Sequence, residues 1–230
     1  TILSSMMKSL PFPASKNTAF GILLGLTLSS ALAFKVLYEL PGCAISIDKQ
    51  NVFYIGVDNP VSIVVRGVPV EQVILQAQGI TLTKVEGDRY TVRATVPGEA
   101  TITVSGGSMK PTVFKYRVKR IPDPVLRLGG TKRSSVLGNG EFKAQSGIVA
   151  VLENFDFDAV CEVVGYEVTY LAKRQDPVTL YNTGAKFNGS VQDYVSRAKP
   201  GDAYFFDEVK VKCPGDASAR NLGSLVFRIK

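Results

Sequence analysis

From Ile45 onward the chain alternates apolar and polar residues with a period of two. Turn residues interrupt the alternation about every 8 to 12 positions, the spacing of a β-sandwich. A strand turns successive side chains to opposite faces, so each such run must bury one face and wet the other. In Tyr90–Val96 the apolar residues fall on one face and Thr91, Arg93 and Thr95 on the other, until Pro97-Gly98 breaks the run. Thr101–Val104 follows and Gly106-Gly107 closes it. Val113–Lys119 alternates again, with Phe114, Tyr116 and Val118 against Lys115, Arg117 and Lys119. Pro60–Val65 and Val73–Leu75 are shorter candidates, and nothing between 45 and 120 carries the apolar stripe of a helix.

Ile121-Pro122-Asp123-Pro124 stops the pattern. Proline cannot donate to a β-ladder and fixes its own φ, so two prolines within three residues mark a domain boundary and a stiff hinge at Pro122, Asp123 and Pro124. Strand patterns resume at Gly147–Leu152, Asn154–Asp158, Val160–Leu171, Ala203–Lys212 and Leu225–Lys230. One short helix is expected. Ser190 would cap it, Val191, Tyr194, Val195 and Ala198 would share its buried face, and Lys199-Pro200-Gly201-Asp202 would end it. The expected fold is all-β: two tandem Ig-like β-sandwich domains, 44–121 and 122–230, after an N-terminal hydrophobic helix within residues 1–40.

That N-terminal segment reads as a targeting device. Met6 or Met7 is the better initiator, Lys8 and Lys16 supply positive charge, and no residue from Asn17 to Phe34 is charged. The run ends in Ala31-Leu32-Ala33, where the small residues Ala31 and Ala33 suit signal peptidase cleavage. Cleavage of a signal peptide and retention as a membrane anchor both export the remainder to the periplasm. A buried helix of the fold is the third alternative. Cys43 would be a lipidation site only if Pro41, Lys35 and Glu39 were tolerated before it, and otherwise it is an ordinary linker cysteine.

The candidate chemistry is sparse. The chain has no histidine, which removes Ser-His-Asp and Cys-His catalysis and His-ligated zinc. Gly129-Gly130 and Gly138-Asn139-Gly140 lack the lysine and hydroxyl residue of a phosphate loop and read as hairpin turns. On a strand, Asp156 and Asp158 would share one face, either as metal ligands near Glu153 or as a solvated face opposite Phe155 and Phe157. No calcium-loop spacing accompanies them, so no catalytic residue, metal or cofactor is expected. Cys161 and Cys213 fall in one domain and can pair in an oxidising compartment, provided their Cα atoms approach within about 7 Å, which spacing leaves open.

The formal net charge is +7. Lys115, Arg117, Lys119 and Arg120 form a basic stripe on one strand, continued by Arg127, Lys132 and Arg133. Such a stripe either guards an edge strand against aggregation or meets an acidic protein partner. Export leaves no opportunity for nucleic acid.

Four segments resemble the GldM/PorM family in order and spacing: Asn51–Pro60, Tyr116–Pro124, Gly147–Asp158, and Lys199–Phe206 with Lys210–Pro214 and Arg220–Ser224. The resemblance runs from about residue 50 to the end. It implies the last two periplasmic domains of a component of the type IX secretion and gliding machinery of Bacteroidetes. In that family an N-terminal membrane helix joins GldL or PorL in a proton-driven motor, and a dimeric shaft of β domains reaches a ring of GldK and GldN, or PorK and PorN. Ala19–Phe34 lacks the acidic residue that proton coupling would need within the membrane. The resulting expectation is a non-enzymatic protein–protein interaction module. Its expected partners are ring proteins similar to GldK/GldN (PorK/PorN) and a second copy of itself, with membrane contact if the N-terminal helix is uncleaved. A generic exported Ig-like adhesion protein is the alternative, and a metal-dependent enzyme using Asp156 and Asp158 is a third class.

Overall fold

The computed structural model describes residues 42–47 and 51–230. The apolar run, with Ala31 and Ala33, lies outside the described residues. Among those described, no helix is long and apolar enough to cross a membrane. The molecule is all-β, two sandwiches in tandem.

The first sandwich has eight strands: β1 (Gly42–Ile47), β2 (Val52–Tyr54), β3 (Asn59–Arg66), β4 (Ile74–Gln78), β5 (Thr81–Glu86), β6 (Arg89–Arg93), β7 (Gly98–Gly106) and β8 (Met109–Lys119). One sheet runs β1-β3-β6-β5 and the other β2-β8-β7-β4. Among the described strands of this sandwich β2 and β8 alone pair in parallel, joining a segment at the start of the domain to its last strand. Val61, Ile63 and Val92 of one sheet meet Phe53, Ile102, Val104, Tyr116 and Val118 of the other, all buried. This is the burial that period-two alternation demands. Cys43, placed in a linker on sequence grounds, instead lies within β1 opposite Val65 of β3 and packs against this core.

The second sandwich has unequal layers. It contains β9 (Val125–Leu128), β10 (Ser135–Leu137), α1 (Asn139–Lys143), β11 (Ile148–Val151), β12 (Glu162–Leu171), β13 (Val178–Thr183), α2 (Gly189–Ser196), β14 (Ala203–Lys212), β15 (Arg220–Asn221) and β16 (Leu225–Ile229). The larger sheet runs β10-β16-β14-β12-β13, with β15 added to β14. The β9–β11 ribbon and both helices share a core with it. Tyr166, Tyr204, Phe206 and Phe227 are its fully buried aromatics, with Phe142 of α1 reaching in to 4.4 Å from the Tyr204 ring centroid.

Three local expectations change. Gly138-Asn139-Gly140 is no hairpin turn; Gly138 is the N-cap of α1 and Asn139-Gly140 begin it, and the burial of Phe142 offsets the poor helix propensity of Gly140. The cap of α2 is Asn188, not Ser190: the Asn188 Oδ1 accepts the Val191 N–H at 2.9 Å. The buried face of that helix is the expected one, with Val191, Val195 and Ala198 fully enclosed. Asn154–Asp158 is not a strand. Asn154 takes a left-handed φ of 55° and the segment is a loop.

Two buried asparagines organise loops. Asn59 is 1% exposed. Its Oδ1 accepts the Tyr54 N–H at 2.7 Å, and its Nδ2 donates to the carbonyls of Tyr54, Val57 and Val92 at 3.0 to 3.1 Å. Asn182 does the same for 184–188, bonding the Gly184 and Lys186 carbonyls and the Asn188 N–H. A buried polar group left unpaired costs more than a bond made gains. Asn59→Ala is therefore expected to lower the stability of the first sandwich by roughly 2–4 kcal/mol, because it orphans several backbone groups at once. Denaturant unfolding of the variant against the parent measures this.

Candidate functional site

Lys115, Arg117 and Lys119 alternate on β8 and are all exposed, with Arg120 immediately after. β7 pairs along β8 on one side, while β2 covers only Arg117–Lys119 on the other. Edge protection therefore accounts at most for the part of β8 before Arg117. Across the sheet Lys115 faces Thr101 and Arg117 faces Glu99. Among the described residues no ion pair engages Lys115, Arg117 or Lys119.

The rest of the basic sequence stripe does not continue that surface. Arg127 and Arg133 both bind the Glu153 carboxylate, Arg133 at 2.7 and 2.9 Å, while Lys132 pairs with Glu141. Bonds from Arg127 and then Arg133 hold Glu153 below its ordinary pKa. Arg127, expected at a partner contact, is thus committed inside the second sandwich with its side chain 25% exposed.

Asp156 and Asp158 lie on the loop between β11 and β12, not on a strand face. Among the described residues no group of three or more possible metal ligands gathers there or elsewhere. What the alternation of this segment places is its aromatics. The Tyr54 ring, at the end of β2, stands edge-on to Phe155 and Phe157 with centroids 4.9 and 5.2 Å away.

That contact is part of a joint between the sandwiches. Val57 and Ile121, 8% and 1% exposed, pack into the core of the second sandwich rather than the first. Gly56 and Gly215 both take left-handed φ, +81° and +78°, and bring their backbones together. A Cβ on Gly215 would lie 2.7 Å from the Ile55 Cγ2 and 2.9 Å from its carbonyl carbon, and one on Gly56 would collide with Pro214 and Gly215. Arg220 fastens the linker: its Nη1 donates to the Ile121 carbonyl at 2.8 Å and to Asp123 at 2.7 Å. Its Nε and Nη2 take both oxygens of Asp216 at 2.8 and 2.7 Å. The linker residues split in role. Pro122 and Asp123 are exposed, whereas Pro124 is buried. The linker therefore lies against an interface of packed side chains and backbone.

Sequence reading missed Asn59, Asp216 and Arg220. Each falls within or beside a segment noted above, but a polar residue in a turn gives no sign of its burial or of a partner about a hundred positions away. Asp216 also accepts the Cys213 N–H at 3.0 Å. Burial alone would raise its pKa. The bonds from Arg220 and Cys213 and the charge of Arg220 outweigh that and hold it below the ordinary 3.8. A depressed folded-state pKa contributes stability above the unfolded value and loses it as the pH falls through the folded value. Asp216→Asn is expected to be less stable than the parent near neutral pH, with the gap closing below about pH 4 as the parent carboxylate protonates. Thermal unfolding of both across that range is the check.

Two protein-family models match the chain. The GldM third domain covers residues 43–119 and the GldM C-terminal domain covers 122–230. No curated protein matches it. Among solved structures, DIP-gamma IG1+IG2 is similar at 10% identity and TM-score 0.26, covering 83% of this chain and 96% of that one. Domains 6-7 of the surface layer protein SbsC are similar at 9% identity and TM-score 0.28, covering 81% and 97%. At such TM-scores neither likeness carries weight, and the fold assignment rests on the sheets themselves. The two family matches, consecutive and in order from β1 to the last residue, show that the chain belongs to the GldM family and carries its third and C-terminal domains.

Proposed function

We propose that this chain is a non-enzymatic periplasmic interaction module of the gliding and type IX secretion machinery, working as the distal part of a GldM-like shaft. The observation that carries the reading is the pair of consecutive domain matches over 43–230. The Cys161–Cys213 disulfide supports placement in an oxidising compartment, since such bonds are rare in the cytosol. The expected partners are ring proteins similar to GldK/GldN (PorK/PorN), and a homodimer follows from the dimeric shaft of the family.

The contact surface we favour is the outer face of β8. Lys115, Arg117 and Lys119 point to solvent from a rigid sheet, and Arg120 continues them toward Asp216, whose carboxylate feels its charge. Cations held by no ion pair among the described residues need no existing pair broken before they meet a partner, and they steer an acidic surface to one register. Arg127 is left out of this surface because Glu153 already holds it.

The triple variant Lys115→Glu, Arg117→Glu, Lys119→Glu reverses the stripe while leaving the buried face of β8 intact. Capture of ring proteins from envelope extracts is expected to weaken at least about tenfold, and the parent's capture to weaken as salt rises. Unchanged capture by a folded triple variant rejects the stripe as the contact. Absence of ring proteins from the parent's own capture rejects the wider reading.

A further inference from the structure

We propose that the Cys161–Cys213 disulfide is the brace of the joint between the two sandwiches, so that what it chiefly holds is the orientation of the first sandwich on the second. The bond sits at a telling place in the second sheet. β12 and β14 run antiparallel, with Val163 opposite Val211 and Glu162 opposite Lys212. Cys161 and Cys213 are the next residues outward on each strand, and they are bonded. Beyond them the two chains part into loops.

Both loops are the ones that hold the first sandwich. The loop before Cys161 carries Phe155 and Phe157, a touching pair against which the Tyr54 ring stands edge-on. The loop after Cys213 carries Pro214 and Gly215, whose backbone lies against Gly56. Asp216, one residue further, binds the Cys213 N–H and Arg220, which in turn grips the linker at Ile121 and Asp123. The covalent rung therefore ties together the bases of these two loops.

The core of the second sandwich has other support. The ladder from Glu162 to Leu171, the β13 and β16 ladders and the enclosed aromatics all lie inward of the bond. Losing the bond frees the outermost residues first, because two strands that diverge fray from their open end. The bond forms when the two thiols give up two electrons and two protons to a disulfide oxidant, which leaves as a dithiol. With Cys161 and Cys213 only 5% and 3% exposed, the joint then persists against small thiols.

The test measures the distance between labels at Val85 and Tyr181, exposed positions on the first and second sandwich, attached through non-cysteine chemistry to the full chain. In Cys161→Ala/Cys213→Ala the distance distribution is expected to broaden at least about twofold, while amides of β12 and β14 keep their exchange protection. Gly215→Val, with the disulfide intact, is expected to broaden it too, since its side chain would collide with Ile55. A double-cysteine variant that keeps the parent's narrow distribution overturns the proposal. So does one whose β12 and β14 lose protection, because the bond would then hold the core rather than the joint.

Discussion

The side chain of Arg220 is 17% exposed, and a charge at that depth is tolerated only when it is paired and its donors are used. Asp216 supplies the compensating charge, with its own side chain 2% exposed. The Nη1 donors go to the Ile121 carbonyl and to Asp123, both in the linker. That demand links the 213–216 turn, β15 and the linker. Removing Asp216 or Arg220 leaves the other as an enclosed charge without its partner. The two cores accordingly belong to one compact unit rather than two beads on a string.

Around this polar centre the joint is completed by shape. Gly56 and Gly215 allow two backbones to approach as no residue with a side chain could, and Tyr54 packs edge-on against the touching rings of Phe155 and Phe157. Asn59 presets the turn that offers Tyr54 and Gly56, since its amide closes the 54–59 segment on itself and on β6. Local hydrogen bonding thus prepares the surface that tertiary packing then uses.

The charge distribution divides along the same line. In the second sandwich Arg127, Arg133 and Lys132 are neutralised by Glu153 and Glu141. On β8 of the first sandwich the cations stand free of ion pairs among the described residues. One basic run in sequence therefore becomes two surfaces of different character, because β8 and β9 belong to different sheets.

What the sequence determined by itself was the class of fold and most of its strands. β7, β8, β12, β14 and β16 were legible because each half-buried strand must repeat its polarity every second residue, whatever it pairs with. The helix face of Val191, Val195 and Ala198 was legible for the analogous reason. The charged stripe of β8 and the break at Pro122–Pro124 were visible too. Tertiary structure decided the rest. Phe155 and Phe157 alternate with acids like a strand, yet they serve a loop, because a period of two records which side chains are wanted inside and not the hydrogen bonds of the backbone. Asn188 displaced Ser190 as the helix cap because Asn182, six residues upstream, pins its N–H. The parallel pairing of β2 with β8 and the grip of Arg220 on Ile121 link residues far apart in the chain. The joining of Cys161 to Cys213 spans 52 positions. Such contacts depend on where the whole backbone goes, and no local pattern encodes that.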